Sequence, residues 1–394
     1  MSMGMSMRHG RASSVLRSLL MTLCAACLAG SAQAQAPSPL APTLFAFPGS
    51  FEQPPSAASA GLAMADQWLG DSPFSNPAAL GPSGVLVSPV IVRNSRQDLR
   101  AANHEYDERS AFFDGAGVSL ALPGVPVRLY ATQPVLRSED FAFTRGTVRD
   151  PVAQPAVVSG SADMRESRTG IASSFHVSKL RLGAAVEWGR RDDRYDTEEQ
   201  SGAPDQGTRH VDFAGEGVGG IVGFRYGSAD TIAGAWTFGG ALRYLPELKL
   251  EGTQQLDLLT GSSETPVAAT REAAWEGGMA ARYAVTPAFR VLASIGGRSQ
   301  QDWKGFDLTA GPAVAARLAI EYHDSRDPWT LRMGLGEERE RHVPEPRAGS
   351  VGLGLGYDFD GMIAEIGVLH RGIERSGLPR SYDDRVVGSL RVAF

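Results

Sequence analysis

Nine arginines, Arg128, Arg181, Arg225, Arg243, Arg282, Arg290, Arg317, Arg332 and Arg391, stand opposite apolar neighbours at two-residue spacing, and Glu187, Glu276, Glu321 and Glu365 share their side. Guanidinium groups so placed either lock carboxylates into a lattice or receive an anion from outside. Arg181, Arg225, Arg243, Arg282, Arg317 and Arg332 are the candidates for contact with a substrate carboxylate. A stiffening salt-bridge lattice is the competing reading for each of them.

Other chemistry is less well supported by spacing. Ser174 and His176 lie two apart on one strand, so their side chains run parallel, and the sequence places no acid to complete a hydrolytic set. The runs Arg191-Asp192-Asp193-Arg194 and Asp196-Thr197-Glu198-Glu199 read as an outer loop whose ordinary state is solvated charge, with a divalent cation as the alternative occupant. Gly217 to Gly220 and Gly352 to Gly356 lack the strand-to-helix context of a phosphate loop and read as small residues facing a crowded interior. No cofactor, metal or enzymatic activity is implied.

The elements that must carry these arginines are strands. In 349–359, Val351, Leu353, Leu355, Tyr357 and Phe359 alternate with Ser350, Gly352, Gly354, Gly356 and Asp358. In 180–191, Leu182, Ala184, Val186 and Trp188 alternate with Arg181, Gly183, Glu187 and Gly189. The last segment, 381–394, sets Val386, Gly388, Leu390, Val392 and Phe394 against Arg385, Ser389 and Arg391. A charge facing lipid costs about 2–4 kcal/mol at the bilayer midplane, so the arginine side must be enclosed.

Fourteen such strands are read: 84–93, 115–122, 125–133, 170–178, 180–191, 216–227, 230–245, 271–285, 288–298, 312–323, 328–337, 349–359, 361–373 and 381–394. Short joins, near Pro123, Ser178, Ser228, Thr286, Ser325 and Asp360, alternate with longer polar ones near Asp107, Asp150, Glu199, Ser262, Trp303, Pro344 and Gly377. That alternation is the pattern of short periplasmic turns and long outer loops in an all-β transmembrane antiparallel barrel. Tyr226, Tyr283, Phe289, Tyr322, Trp329, Tyr357, Phe359 and Phe394 fall at the short-turn ends and predict an interfacial aromatic girdle.

Bulk properties agree. Residues 1–34 read as a signal peptide, with Arg8, Arg11 and Arg17, an apolar run from Ser18 to Gly30 and the small-residue site Ala32-Gln33-Ala34. Both cysteines, Cys24 and Cys27, lie within it, so the mature chain has neither disulfides nor thiolate metal ligands. Removing three positive charges and no acids leaves 35 against 44, a net charge of −9 that gives no support to nucleic-acid binding. After the signal, no run reaches the ~18 apolar residues of a transmembrane helix, which leaves a closed barrel as the way to cross a bilayer.

Residues 35–83 form a separate element before the barrel of 84–394, rich in Pro, Ala, Ser and Gly. Within it, Ser59-Ala60-Gly61-Leu62-Ala63-Met64-Ala65-Asp66 is followed by Ser75-Asn76-Pro77-Ala78-Ala79-Leu80. Asn before Pro favours an extended or turn conformation, Pro77 fixes its own φ, and the Asn side chain can bond nearby backbone. These segments, with the strand count and the terminal Phe394, resemble the FadL family of outer-membrane transporters for long-chain fatty acids and other hydrophobic compounds. The resemblance implies that residues 35–83 form a luminal plug in which Asn76, Pro77 and Ala78 help to control passage. Ala79 replaces a glycine common in the family, and Gln67-Trp68-Leu69-Gly70 is insertion-like.

The sequence thus points to passive uptake of hydrophobic or amphipathic small molecules across a Gram-negative outer membrane. Expected partners are membrane lipid, the small-molecule substrate and, through the C-terminal strand, the barrel assembly machinery. The alternative is a non-transport barrel acting as an assembly partner or surface adhesin.

Overall fold

The computed structural model describes residue 69, residues 76–78 and, with short breaks, residues 83–393. Residues 1–34, expected to be a signal peptide, most of 35–83 and Phe394 lie outside the described residues. Among the described residues, eighteen strands form one sheet: β1 Gly84–Leu99, β2 His104–Ala121, β3 Val127–Arg145, β4 Ala156–Val177, β5 Leu180–Gln200, β6 Gly207–Gly227, β7 Trp236–Leu245, β8 Leu248–Leu258 and β9 Gly261–Arg271 come first. They are followed by β10 Ala274–Ala284, β11 Phe289–Arg298, β12 Gln301–Lys304, β13 Leu308–Ala310, β14 Ala313–His323, β15 Trp329–Glu340, β16 Pro346–Asp358, β17 Met362–Arg375 and β18 Leu378–Ala393.

All pairings are antiparallel, and β1 pairs with both β2 and β18, which closes the wall. Fourteen strands are its staves, as the alternation predicts. The remaining four, β8, β9, β12 and β13, belong to an extension beyond one end. There β6 pairs with β7 through its second half and with β8 through its first. Pro246 and Glu247 interrupt the run from β7 to β8, because a proline cannot donate to the ladder.

The wall has the expected two sides. On β16, Val351 and Leu353 are more than half exposed while Gly352 is buried. On β5, Val186 and Trp188 are exposed, while Ala185, Glu187 and Gly189 between and beside them are buried. The apolar side therefore faces outward around the barrel and cannot be a conventional soluble surface. At the short-turn end, Trp236 stacks beside Phe238 and lies 4.6 Å from Tyr283, and Trp329, Tyr357 and Phe359 form a second continuous run. At the other end, Tyr244 lies 5.1 Å from Trp275, a second aromatic belt that the sequence reading did not identify. Trp275 and Tyr283 on β10 span about 27 Å along the strand at ~3.4 Å per residue, which a ~40° tilt reduces to about 21 Å, close to the ~25 Å apolar band of such barrels.

Two expectations are corrected. The stretch 230–245 is not one strand: β7 starts at Trp236, and 232–235 turn through Gly234 at φ 79°, whose N–H donates to the Ala284 carbonyl at 2.7 Å. The longer polar joins are largely strand as well. Asp107, Glu199, Ser262 and Trp303 lie in β2, β5, β9 and β12. The charged runs of 191–199 continue β5, with Arg191 and Asp193 buried and Asp192 and Arg194 exposed. A ladder continues while its backbone groups find partners, whereas the apolar signal stops where lipid stops. The turns predicted near Pro123, Ser178 and Asp360 are tight, with positive φ at Gly124, Ser178 and Asp360.

Candidate functional site

The enclosed face is built from rows of residues paired across neighbouring strands. Toward the short-turn end of the wall, Arg290, Glu321 and Arg332 are successive partners on β11, β14 and β15. Glu321 accepts from Arg290 at 2.6 Å and from Arg332 at 2.8 Å, and Arg332 also pairs with Glu365, which accepts from Ser389 at 3.0 Å. A second row, Arg243, Glu276 and Arg298, crosses β7, β10 and β11. Arg243 donates to Glu187 at 3.1 Å, and Tyr130 donates its hydroxyl to the same carboxylate at 2.7 Å. Gly170 permits this, because a Cβ there would overlap the Tyr130 ring.

The candidate arginines therefore divide. Arg243 and Arg332 are locked in ion pairs, and Arg282 and Arg317 are buried and engaged. Arg181 is exposed and Arg225 half-buried, both at the short-turn mouth. His176 is exposed at that mouth, and Ser174 is half-buried one inward position above it.

Beyond the second aromatic belt, a cluster absent from the sequence reading joins β4, β5 and the extension. Glu166 accepts from Arg168 at 2.8 Å and from Arg271 at 3.0 Å, and Arg191 pairs with Asp193 at 2.8 Å. The Arg191 guanidinium lies 4.5 Å above the buried Trp303 ring. Burial pushes the Glu166 carboxyl up, but Arg168, Arg271 and Arg191 outweigh it and hold the group well below the usual carboxylate range. The alternation of Glu166 and Arg168 was the available signal, but no apolar partners marked the stretch as strand.

The short-turn half of the lumen holds Asn76, Pro77 and Ala78, all buried. The Asn76 carboxamide donates to the Phe224 carbonyl at 3.0 Å, and its oxygen accepts from the Ala78 N–H at 3.0 Å. That second bond closes an Asx turn, and Pro77 has no N–H to leave unsatisfied inside it. The turn fits because Gly183 and Gly223, paired across β5 and β6, have no side chains. A Cβ on Gly183 would overlap the Pro77–Ala78 backbone, and one on Gly223 would overlap the Asn76 carboxamide. Leu69 joins Tyr130, Ala172, Ala185 and Ile221 in the apolar cluster above this seat.

No family model matches the chain, and no curated protein matches it. Among solved structures, the toluene transporter TodX of Pseudomonas putida superposes with a TM-score of 0.57 at 14% identity, covering 86% of this chain and 97% of that one. The fold is that of the FadL-type outer-membrane barrels. A FadL homologue of Pseudomonas aeruginosa matches at a TM-score of 0.53 and 12% identity, over 86% of this chain and 97% of that one. The toluene transporter TbuX of Ralstonia pickettii also gives 0.53, at 13% identity, over 88% and 99%.

Proposed function

We propose that this protein is an outer-membrane channel for passive uptake of hydrophobic or amphipathic small molecules, long-chain fatty acids among them. The observation that carries the reading is the seating of Asn76–Pro77–Ala78 inside a closed FadL-type barrel, on a gap left by Gly183 and Gly223. A channel for bulk solutes needs no such turn in its lumen. Residues 35–83 act as the plug, and the Asn76 turn is its anchor on the wall. Cargo enters at the extension, passes the plug and leaves to the periplasm or sideways into the membrane.

The chain reaches the outer membrane after removal of residues 1–34 and inserts through the assembly machinery by its last strand. Its fold-level kinship to channels named for toluene and to a FadL homologue supports an apolar cargo. Deleting residues 37–83 tests the reading against the adhesin or assembly-partner alternative. Altered uptake of a hydrophobic compound supports transport, whereas unchanged uptake with lost partner binding would replace it with the scaffold role.

A further inference from the structure

Three inward rows succeed one another from the short-turn mouth toward the middle of β4, β5 and β6. The outermost is His176, Arg181 and Arg225, the next Ser174, Gly183 and Gly223, and the third Ala172, Ala185 and Ile221. The second row seats the Asn76 turn, and the third is wholly apolar and buried.

The outermost row breaks the charge rule of the rows described above. Arg290–Glu321–Arg332 and Arg243–Glu276–Arg298 each place a glutamate between two arginines. In the mouth row the central residue is Arg181, directly opposite Arg225 on one side and His176 on the other. Like charges paired across strands are destabilising, and their Cβ atoms sit about 4.5–5.5 Å apart. Arg181 is exposed, so its guanidinium is open to an incoming group. His176 adds an N–H donor in either protonation state.

Resting on the transport reading above, we propose that His176, Arg181 and Arg225 form an exit site for the anionic head of an alkyl-chain amphiphile. The head sits on the cationic row at the mouth while the tail points back past the Asn76 turn toward Ala185 and Ile221. Planar guanidiniums bind carboxylate or phosphate oxygens in pairs, so both heads share the recognising chemistry. A free carboxylate would be cargo, whereas a phosphate ester would be the headgroup of a membrane lipid.

The test measures binding of decanoate, decyl phosphate and decanol to the full-length protein in non-ionic detergent. Charge-assisted hydrogen bonds lead to the expectation that one anion binds at least about tenfold more tightly than decanol. Arg181→Gln/Arg225→Gln removes that margin and leaves decanol binding unchanged, and Arg181→Lys retains most of it. Preference for decanoate assigns the site to cargo, and preference for decyl phosphate assigns it to lipid. Equal binding of all three compounds, a margin that survives the double substitution, or an equal loss for decanol would overturn the site. Uptake of decanol by cells making the protein is read separately: its absence would end the transport reading and leave the binding result standing.

Discussion

Gly183 and Gly223 face one another across β5 and β6, and the space where their side chains would stand is filled by the Asn76–Pro77–Ala78 turn. The wall and the turn fit only because both positions lack a Cβ. Gly183→Val therefore pushes against backbone and Gly223→Val against a carboxamide held by two hydrogen bonds. Both variants are expected to retain a closed barrel, seen as heat-modifiable mobility on a gel, and to show a severalfold higher single-channel conductance as the turn leaves its seat. Conductance equal to that of the unsubstituted protein would show that the turn does not limit the lumen.

Glu187 receives Arg243 and Tyr130 inside the wall, where all three are buried. Removing one partner of a buried ion pair costs about 3–5 kcal/mol, so Glu187→Leu should lower the urea midpoint of the vesicle-inserted barrel strongly. Arg190 and Asp192, paired at 3.0 Å on the outer surface, provide the contrast. Arg190→Gln should leave the midpoint where it was, because exposed pairs are solvated. Equal effects of the two substitutions would mean that the lumen is as wet as the outer surface.

Leu353 lies within the outward apolar band of β16, between the buried Gly352 and the half-buried Gly354. Leu353→Arg should cost about 2–4 kcal/mol of folding stability in lipid. Measured in detergent-free buffer on a chain that stays dissolved and monodisperse, the same substitution would be neutral, and that result would place the apolar face somewhere other than against hydrocarbon.

His210 on β6 places one ring nitrogen against Asp196 of β5 and the other against Asp212. The Asp196 hydrogen bond chiefly raises its pKa, against a smaller opposing effect of burial, and Asp212 adds to the rise. The stabilisation is therefore complete below the ordinary histidine value of about 6.5 and is lost as pH rises through the higher folded value. Amide exchange across 194–200 and 207–212 should accelerate as pH rises above about 6.5, beyond the base-catalysed rate. His210→Gln should abolish the excess, and an excess that persists would assign it to other groups.

The wall was legible in the sequence because lipid imposes a simple rule: every second residue of Val351, Leu353 and Leu355 must be apolar, and every intervening one need not be. The rule also fixed the side of Arg243, Arg282, Arg317 and Arg332, all of which the structure places inward. It had nothing to say beyond the second belt, where Glu166, Arg168, Arg191 and Asp193 form strands with water outside. For the same reason the charged run after Arg190 read as loop. The partners of the arginines were equally hidden, since Arg271 reaches Glu166 from 105 residues away. Gly183 could be recognised as inward by parity, but its role depends on a turn more than a hundred positions earlier in the chain.

The most direct test of the account follows uptake of a labelled long-chain carboxylate and an aromatic hydrocarbon into Gram-negative cells that lack channels of this fold and make this protein. The enclosed lumen predicts uptake of at least one of them several times faster than in cells without the protein, with no gain for a sugar of similar size. Uptake no faster than in those cells, in a barrel shown to be folded in the outer membrane, would contradict it.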